Sequence, residues 1–180
     1  MADTLESRLT LRALVTRTVG MDLGTLTFPA TCEQALTWPD GTSASQADEV
    51  WSDEATITSG AYLNLDLKAL AETDDDGDAT GRTVDFAKVK ILCIVNTSST
   101  GSLVVGGGTD NGGAADAWID GGTEGWLAAD SDLDRIPAGG SMFRVFPSGV
   151  TVTNTTSDIL GLGAVGANQT IEILLAGNAS

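Results

Sequence analysis

From Glu54 onward the chain breaks into short alternating runs separated by turn residues, and no helical periodicity there lasts longer than three turns. A chain patterned with period two cannot bury a helical stripe, so each run must hide one face against a second sheet. The runs are 54–58, 61–67, 88–96, 102–106, 141–146, 150–153, 158–162 and 169–176, eight candidate strands. In 61–67, Leu63, Leu65 and Leu67 alternate with Tyr62, Asn64 and Asp66, as on a half-buried antiparallel strand. In 88–96, Val89, Ile91, Cys93 and Val95 share one parity while Leu92 and Ile94 occupy the other. Apolar residues at both parities predict a central strand. Thr97-Ser98-Ser99-Thr100-Gly101, Pro147-Ser148-Gly149 and Asn154-Thr155-Thr156 supply turn chemistry between the runs. The expected fold is all-β, an antiparallel β-sandwich of jelly-roll type.

Charge divides the chain further. Among 180 residues, 25 are acidic and 9 basic, for a net charge of −16, and histidine is absent. Three of the nine basic residues, Arg8, Arg12 and Arg17, fall within the first seventeen positions. There Leu9, Leu11, Ala13 and Val15 alternate with Thr10, Arg12 and Thr16, which reads as a strand. Residues 20–53 are broken by Gly20, Gly24, Pro29, Pro39 and Gly41 and read as an extended acidic arm. The expected division is residues 1–53 as N-terminal strand and arm, available to a neighbouring subunit, and residues 54–180 as the sandwich.

The composition excludes several functions. Without histidine there is no Ser-His-Asp or Cys-His catalysis and no ordinary zinc site. An acidic surface repels nucleic acid and anionic membrane, so neither is an expected partner. No apolar stretch reaches the length of a spanning helix, and the first residues lack the order of a signal peptide, so synthesis without export is expected. Cys32 and Cys93 form no C-x-x-C pair, and Cys93, inside an apolar run, is expected to be a buried small hydrophobe.

Two insertions invite chemistry. Residues 70–81 carry the acidic cluster Asp74, Asp76 and Asp78 around Gly77. With Gly77 at position 6 of an EF-hand loop, Glu72 falls at position 1 and Thr83 at position 12, where a bidentate glutamate is required. A looser cation site at Asp74, Asp76 and Asp78, or at Asp130, Asp132 and Asp134, is outweighed by a solvated acidic loop, and no metal or cofactor is expected. Residues 106–113 are glycine-rich but lack the Lys-Ser/Thr of a P-loop and any helix to follow. Carboxylate pairs are inevitable among so many acids, and none is singled out as an acid and nucleophile, so no enzyme is expected. Trp38, Trp51, Trp118 and Trp126 read as covers of a core edge or anchors of an interface rather than sugar platforms.

A wider pattern joins these segments. Gly41-Thr42, Gln46-Ala47-Asp48 with Val50-Trp51, Leu65-Asp66-Leu67, Gly81-Arg82-Thr83-Val84-Asp85-Phe86 leading into Val89-Lys90, Pro137-Ala138-Gly139-Gly140 and a closing apolar strand to Gly177 follow in order. Over residues 35–177 the chain resembles a family of small virion proteins of tailed bacteriophages. It departs from that family at Ile171-Glu172-Ile173, where a Tyr-Asp strand is common, and in the long insertion 106–134. The resemblance implies a capsid decoration, or cement, protein on the exterior of the head, made in the host cytoplasm. The alternative is a tail, head-fibre or spike component or a glycan-binding module. The partners implied are the major capsid protein and the chain itself, as a homotrimer. Arg8, Arg12, Arg17, Trp38 and Trp51 are the expected capsid or subunit contacts, on a less acidic attachment side that includes the Arg82–Lys90 region.

Overall fold

A computed structural model describes residues 7–21, 24–73, 79–106, 133–154 and 158–180. The chain opens with β1 (Ser7–Met21) and β2 (Gly24–Trp38), which pair antiparallel from Ser7 opposite Trp38 to Met21 opposite Gly24. Where an extended arm is expected from the glycines and prolines, the structure has a second long strand. Pro29 is tolerated because each strand of a two-stranded ribbon has a free edge that needs no donor.

The sandwich begins earlier than the expected boundary, with β3 (Glu49–Ile57), followed by β4 (Tyr62–Asp66). A small hairpin, β5 (Leu70–Thr73) and β6 (Ala79–Val84), occupies the first acidic insertion. Then come β7 (Phe86–Asn96), β8 (Ser102–Gly106), β9 (Leu133–Pro137), β10 (Ser141–Thr151), β11 (Ile159–Val165) and β12 (Gln169–Ala179). One sheet has the order β10-β7-β12-β3 and the other β4-β11-β8-β9. Every step from β3 to β12 changes sheet except the β5–β6 excursion and the direct pairing of β8 with β9. This is jelly-roll connectivity, with two Greek keys in an eight-stranded sandwich.

The alternating runs decide which side chains meet between the sheets. Trp51 and Ile57 of β3, Leu92 and Ile94 of β7, and Ile171, Ile173 and Leu175 of β12 face Leu103 and Val105 of β8 and Leu160 and Leu162 of β11. Leu63 and Leu65 of β4 pack against the same core, while Tyr62 remains exposed, as their alternation predicts. Strand β7 is central, between β10 and β12. The two runs 141–146 and 150–153 form one strand, and Pro147-Ser148-Gly149 is an irregularity within β10 rather than a turn. Strand β9 lies at the end of the 106–134 insertion, where the sequence pattern predicts no strand.

Buried amides close one end of the sandwich. Asn96 donates to Gln169 Oε1 at 2.8 Å, and Gln169 Nε2 donates to the carbonyls of Thr100, Ala167 and Asn168. Side chains thus satisfy loop carbonyls that would otherwise be buried without donors.

Candidate interaction surface

The outer face of the β10-β7-β12-β3 sheet is where sequence-expected and unexpected residues converge. Its register builds three rows. Val145, Ile91, Ala176 and Val50 form one, Phe143, Cys93, Leu174 and Ser52 the next, and Ser141, Val95, Glu172 and Glu54 the third. The first row is roofed by Trp38 and Ala47, which join Ile91 and Ala176 in a second, smaller core. The next row is only partly covered, and Leu174 at 39% is one of three exposed large hydrophobic residues among those described. Beside it, Glu54 and Glu172 stand directly opposite each other, both exposed, and neither takes part in an ion pair among the described residues. Like charges in that relation repel.

Cys93 lies in this partly covered row. It is half-buried rather than a core residue, because its parity points it away from the sandwich interior. Burial first, and the negative charge of Glu172 second, push its thiol pKa up.

A bulge fixes how the arm meets this face. Ala176 pairs with Ile91 but Gly177 pairs with Val89, which leaves Lys90 as the extra residue in β7. The bulge turns Lys90 outward beneath the loop that follows Trp38. Its side chain is fully buried and donates to the carbonyls of Ser43, Ala44 and Gln46. Asn178 donates to the carbonyls of Gly41 and Gln46, at 2.9 Å each, and Asp48 Oδ1 accepts from the Ala179 N–H. Burial first, then the nearby charge of Lys88, lowers the Lys90 pKa, while Asp48 opposes the shift. The loop is therefore clamped over the sheet at the foot of the β1–β2 ribbon.

The expected contact residues divide sharply. Arg8, Arg12 and Arg17 lie on β1, opposite Thr37, Glu33 and Phe28. Strand alternation gives Arg8 and Arg12 one parity and Arg17 the other. Trp38 and Trp51 are each 4% exposed and present no contact surface in this fold. Trp38 roofs the outer sheet face, and Trp51 fills the core and donates its indole N–H to the Ala71 carbonyl at 2.8 Å. Bulky rings flanking a strand signal burial as readily as contact.

Two of the three basic residues of the expected basic side around 82–90, Arg82 and Lys90, are engaged within the chain. Arg82 bridges Glu49 and Glu72, and the charge of Glu49 is the chief cause that raises its pKa, against a smaller opposing burial effect. Lys68 pairs with Asp85 at 2.7 Å and also donates to the Phe86 carbonyl and to Ser180. These cations cross-brace β3, β5–β6 and the last residues of the chain. Asp74, Asp76, Asp78, Asp130, Asp132, Trp118 and Trp126 lie outside the described residues. Asp134 pairs with Arg144. Among the described residues no group of three or more potential ligands is set to hold a metal, and no helix is long and apolar enough to cross a membrane.

The outer-face rows were readable only in part. The two-faced apolar character of β7 signals that its second face needs a cover, but strand order is required to bring Leu174 beside Phe143 and Glu54 beside Glu172. The arrangement sets apolar side chains next to a repelling carboxylate pair on one sheet face, and places the N-terminal arginines on a separate ribbon.

No protein-family model matches the chain. No curated protein matches it. Among solved structures, a chain from the Bacillus endospore appendages, described as a family of disulfide-linked pili, aligns over 76% of this chain and 92% of its own at 11% identity and a TM-score of 0.30.

Proposed function

We propose that this chain is a structural protein of a tailed-phage virion, a decoration protein that binds the outside of the head and stabilises capsomer junctions. The observation that carries this reading is the contrast between ribbon and sandwich. Strands β1 and β2 hold three basic residues and one acidic one, whereas residues 39–180 hold six basic and twenty-one acidic ones. A basic ribbon on an acidic body gives the molecule a polarity that orients it on a surface. Arg8 and Arg12, at one parity of β1 among threonines, are the residues we assign to the major capsid protein. Repetition across a homotrimer would multiply weak contacts of this kind. Catalysis and cofactors have no part in this reading.

The test is addition of the purified chain to preformed heads that lack it, with copies counted by gel densitometry or reconstruction. Binding should saturate in the hundreds per particle, in fixed ratio to the capsomers, and weaken with salt. Arg8→Glu together with Arg12→Glu should weaken it at least ten-fold. Failure to bind heads, recovery in the tail fraction at low copy number, or binding of isolated protein to host glycan would overturn the assignment.

A further inference from the structure

Residues 39–48 join the ribbon to the sandwich, and their composition is that of a flexible linker. Thr42, Ser43, Ala44 and Ser45 are exposed, and no large apolar side chain stands between Trp38 and Val50 to seat the segment. It is nevertheless closed and fixed. The Ala47 N–H donates to the Pro39 carbonyl at 2.9 Å and the Asp48 N–H to the Gly177 carbonyl at 3.0 Å, while the Gln46 side chain braces the turn through the Ser43 N–H and the Asp40 carbonyl. Gly41, at φ +131°, leaves room for that amide, since a Cβ there would lie 2.7 Å from Gln46 Oε1. Lys90 and Asn178, both buried, then supply five hydrogen bonds to four carbonyls of the segment, those of Gly41, Ser43, Ala44 and Gln46. Both donors belong to the body, one to the bulged stretch of β7 and the other to the end of β12.

Buried polar donors are a costly way to add stability alone, because well-packed apolar side chains hold a loop as firmly. What they add is direction. The apolar contact of Trp38 and Ala47 with Ile91 and Ala176 tolerates rotation, whereas hydrogen bonds weaken steeply as their angle departs from linear. Direction matters because of what the segment carries. Strands β1 and β2 run 15 residues each and, among the described residues, pair with each other and with no other strand. A ribbon of that length extends about 50 Å at ~3.4 Å per residue, so a tilt of about 10° at its root carries the far end through about 9 Å.

We infer that Lys90 and Asn178 are positioning residues for the ribbon, which their clamp turns from a swinging tether into a lever held at one angle to the body. A ribbon already oriented loses less freedom on docking, so the clamp raises affinity without touching the partner. The fixed angle follows from the clamp alone, whereas its use in attachment to the head rests on the virion reading.

Double electron–electron resonance on the full chain tests it. In a Cys32→Ser/Cys93→Ser background, spin labels at Thr25→Cys, near the far end of the ribbon, and at Thr58→Cys, exposed on the body, report the ribbon angle as a distance distribution. Labelled chain is diluted with unlabelled chain so that the distances lie within one molecule. The parent should give a single narrow distance, and Lys90→Met a distribution at least twice as broad. Asn178→Ala keeps the ammonium and removes two of the five bonds, so it should broaden the distribution less, and it gives the reading if Lys90→Met does not fold. Trp51→Phe is the control, because it lowers stability from the core and should leave the distribution narrow. Head binding should weaken at least five-fold in the clamp variants and stay at the wild-type level in Trp51→Phe. A broad distribution in the parent, clamp variants as narrow as the parent, equal broadening by Trp51→Phe, or broadening without loss of head affinity overturns the inference. If no form binds heads, wild type included, the virion reading falls, and the distance distributions still decide whether the ribbon is a lever.

Discussion

The buried ammonium of Lys90 donates to the backbone carbonyl of Gln46, and through that bond a bulge in the central strand of one sheet holds the loop at the foot of the N-terminal ribbon. Ser43 and Ala44 complete the carbonyl cage. Burying an ammonium is costly unless its donors are used, and here three carbonyls accept from it.

Lys90→Met should therefore destabilise the fold by about 1–3 kcal/mol, because methionine fills the space but removes the ammonium donor from the carbonyls of Ser43, Ala44 and Gln46, of which Gln46 keeps Asn178 and Ser43 keeps the Gln46 N–H. Urea unfolding should show a lower midpoint with an unchanged slope, and amide exchange should quicken over residues 40–47. Because the folded pKa of Lys90 is depressed, the native chain holds fewer protons than the unfolded one between that pKa and the ordinary lysine value. Wild-type stability should gain from this group as pH rises through that window. The variant should lack this contribution.

Gly177→Ala should be severe. A Cβ at Gly177 would collide with the carbonyl oxygen of Lys88, part of the backbone of the adjacent strand, which cannot move without opening the β7–β12 pairing. A loss of about 3 kcal/mol or more, or failure to fold, is expected. Gly60→Ala is the contrast. Its φ is +78° but a Cβ there meets nothing within 4 Å, so only backbone strain of about 1 kcal/mol is expected. Thermal midpoints of the two variants decide the matter.

Asp85→Asn tests the brace at the end of the chain. Burial alone would raise the Asp85 pKa, but the hydrogen bonds from Lys68 and Ser180, with the Lys68 charge, outweigh it and hold the carboxyl below its usual value. A depressed carboxylate contributes stability above its unfolded pKa and loses it as pH falls through the folded one. The wild type should thus exceed the variant in stability at neutral pH, by less than ~1 kcal/mol because the Asp85 side chain is about half exposed. The gap should close as pH drops below about 3.9. Denaturation midpoints at pH 7 and at pH ~2 give the comparison, and a gap that widens on acidification would contradict it.

Trp51→Phe should lower stability by about 1–2 kcal/mol through the lost hydrogen bond to Ala71, with faster exchange in β5 and β6. It should leave head binding unchanged, since Trp51 is a core residue.

Particular residues show how much of this was legible. Val89 to Val95 declared a central strand because both parities are apolar, and the structure places β7 between two neighbours. Strand β8 runs over the residues expected for it. Strand β2 escaped notice although Leu26, Phe28, Ala30, Cys32, Leu36 and Trp38 alternate, because Pro29 and nearby glycines suggested a broken arm. Of the expected contacts, the arginines of β1 lie on the ribbon and the tryptophans became core.

Period-two patterning, the absence of histidine and the uneven charge are local or additive properties, so the sequence by itself determined an all-β chain, its central strand and the chemistry it must do without. Which strands are neighbours depends on contacts between residues more than a hundred positions apart, such as Glu54 with Glu172 or Gln46 with Asn178. Only the tertiary structure could place an apolar row beside a carboxylate pair on one sheet face, or turn a lysine in an apolar run into the clamp of a loop. Alternation says which residues share a face, but strand order and bulges decide which faces and rows meet.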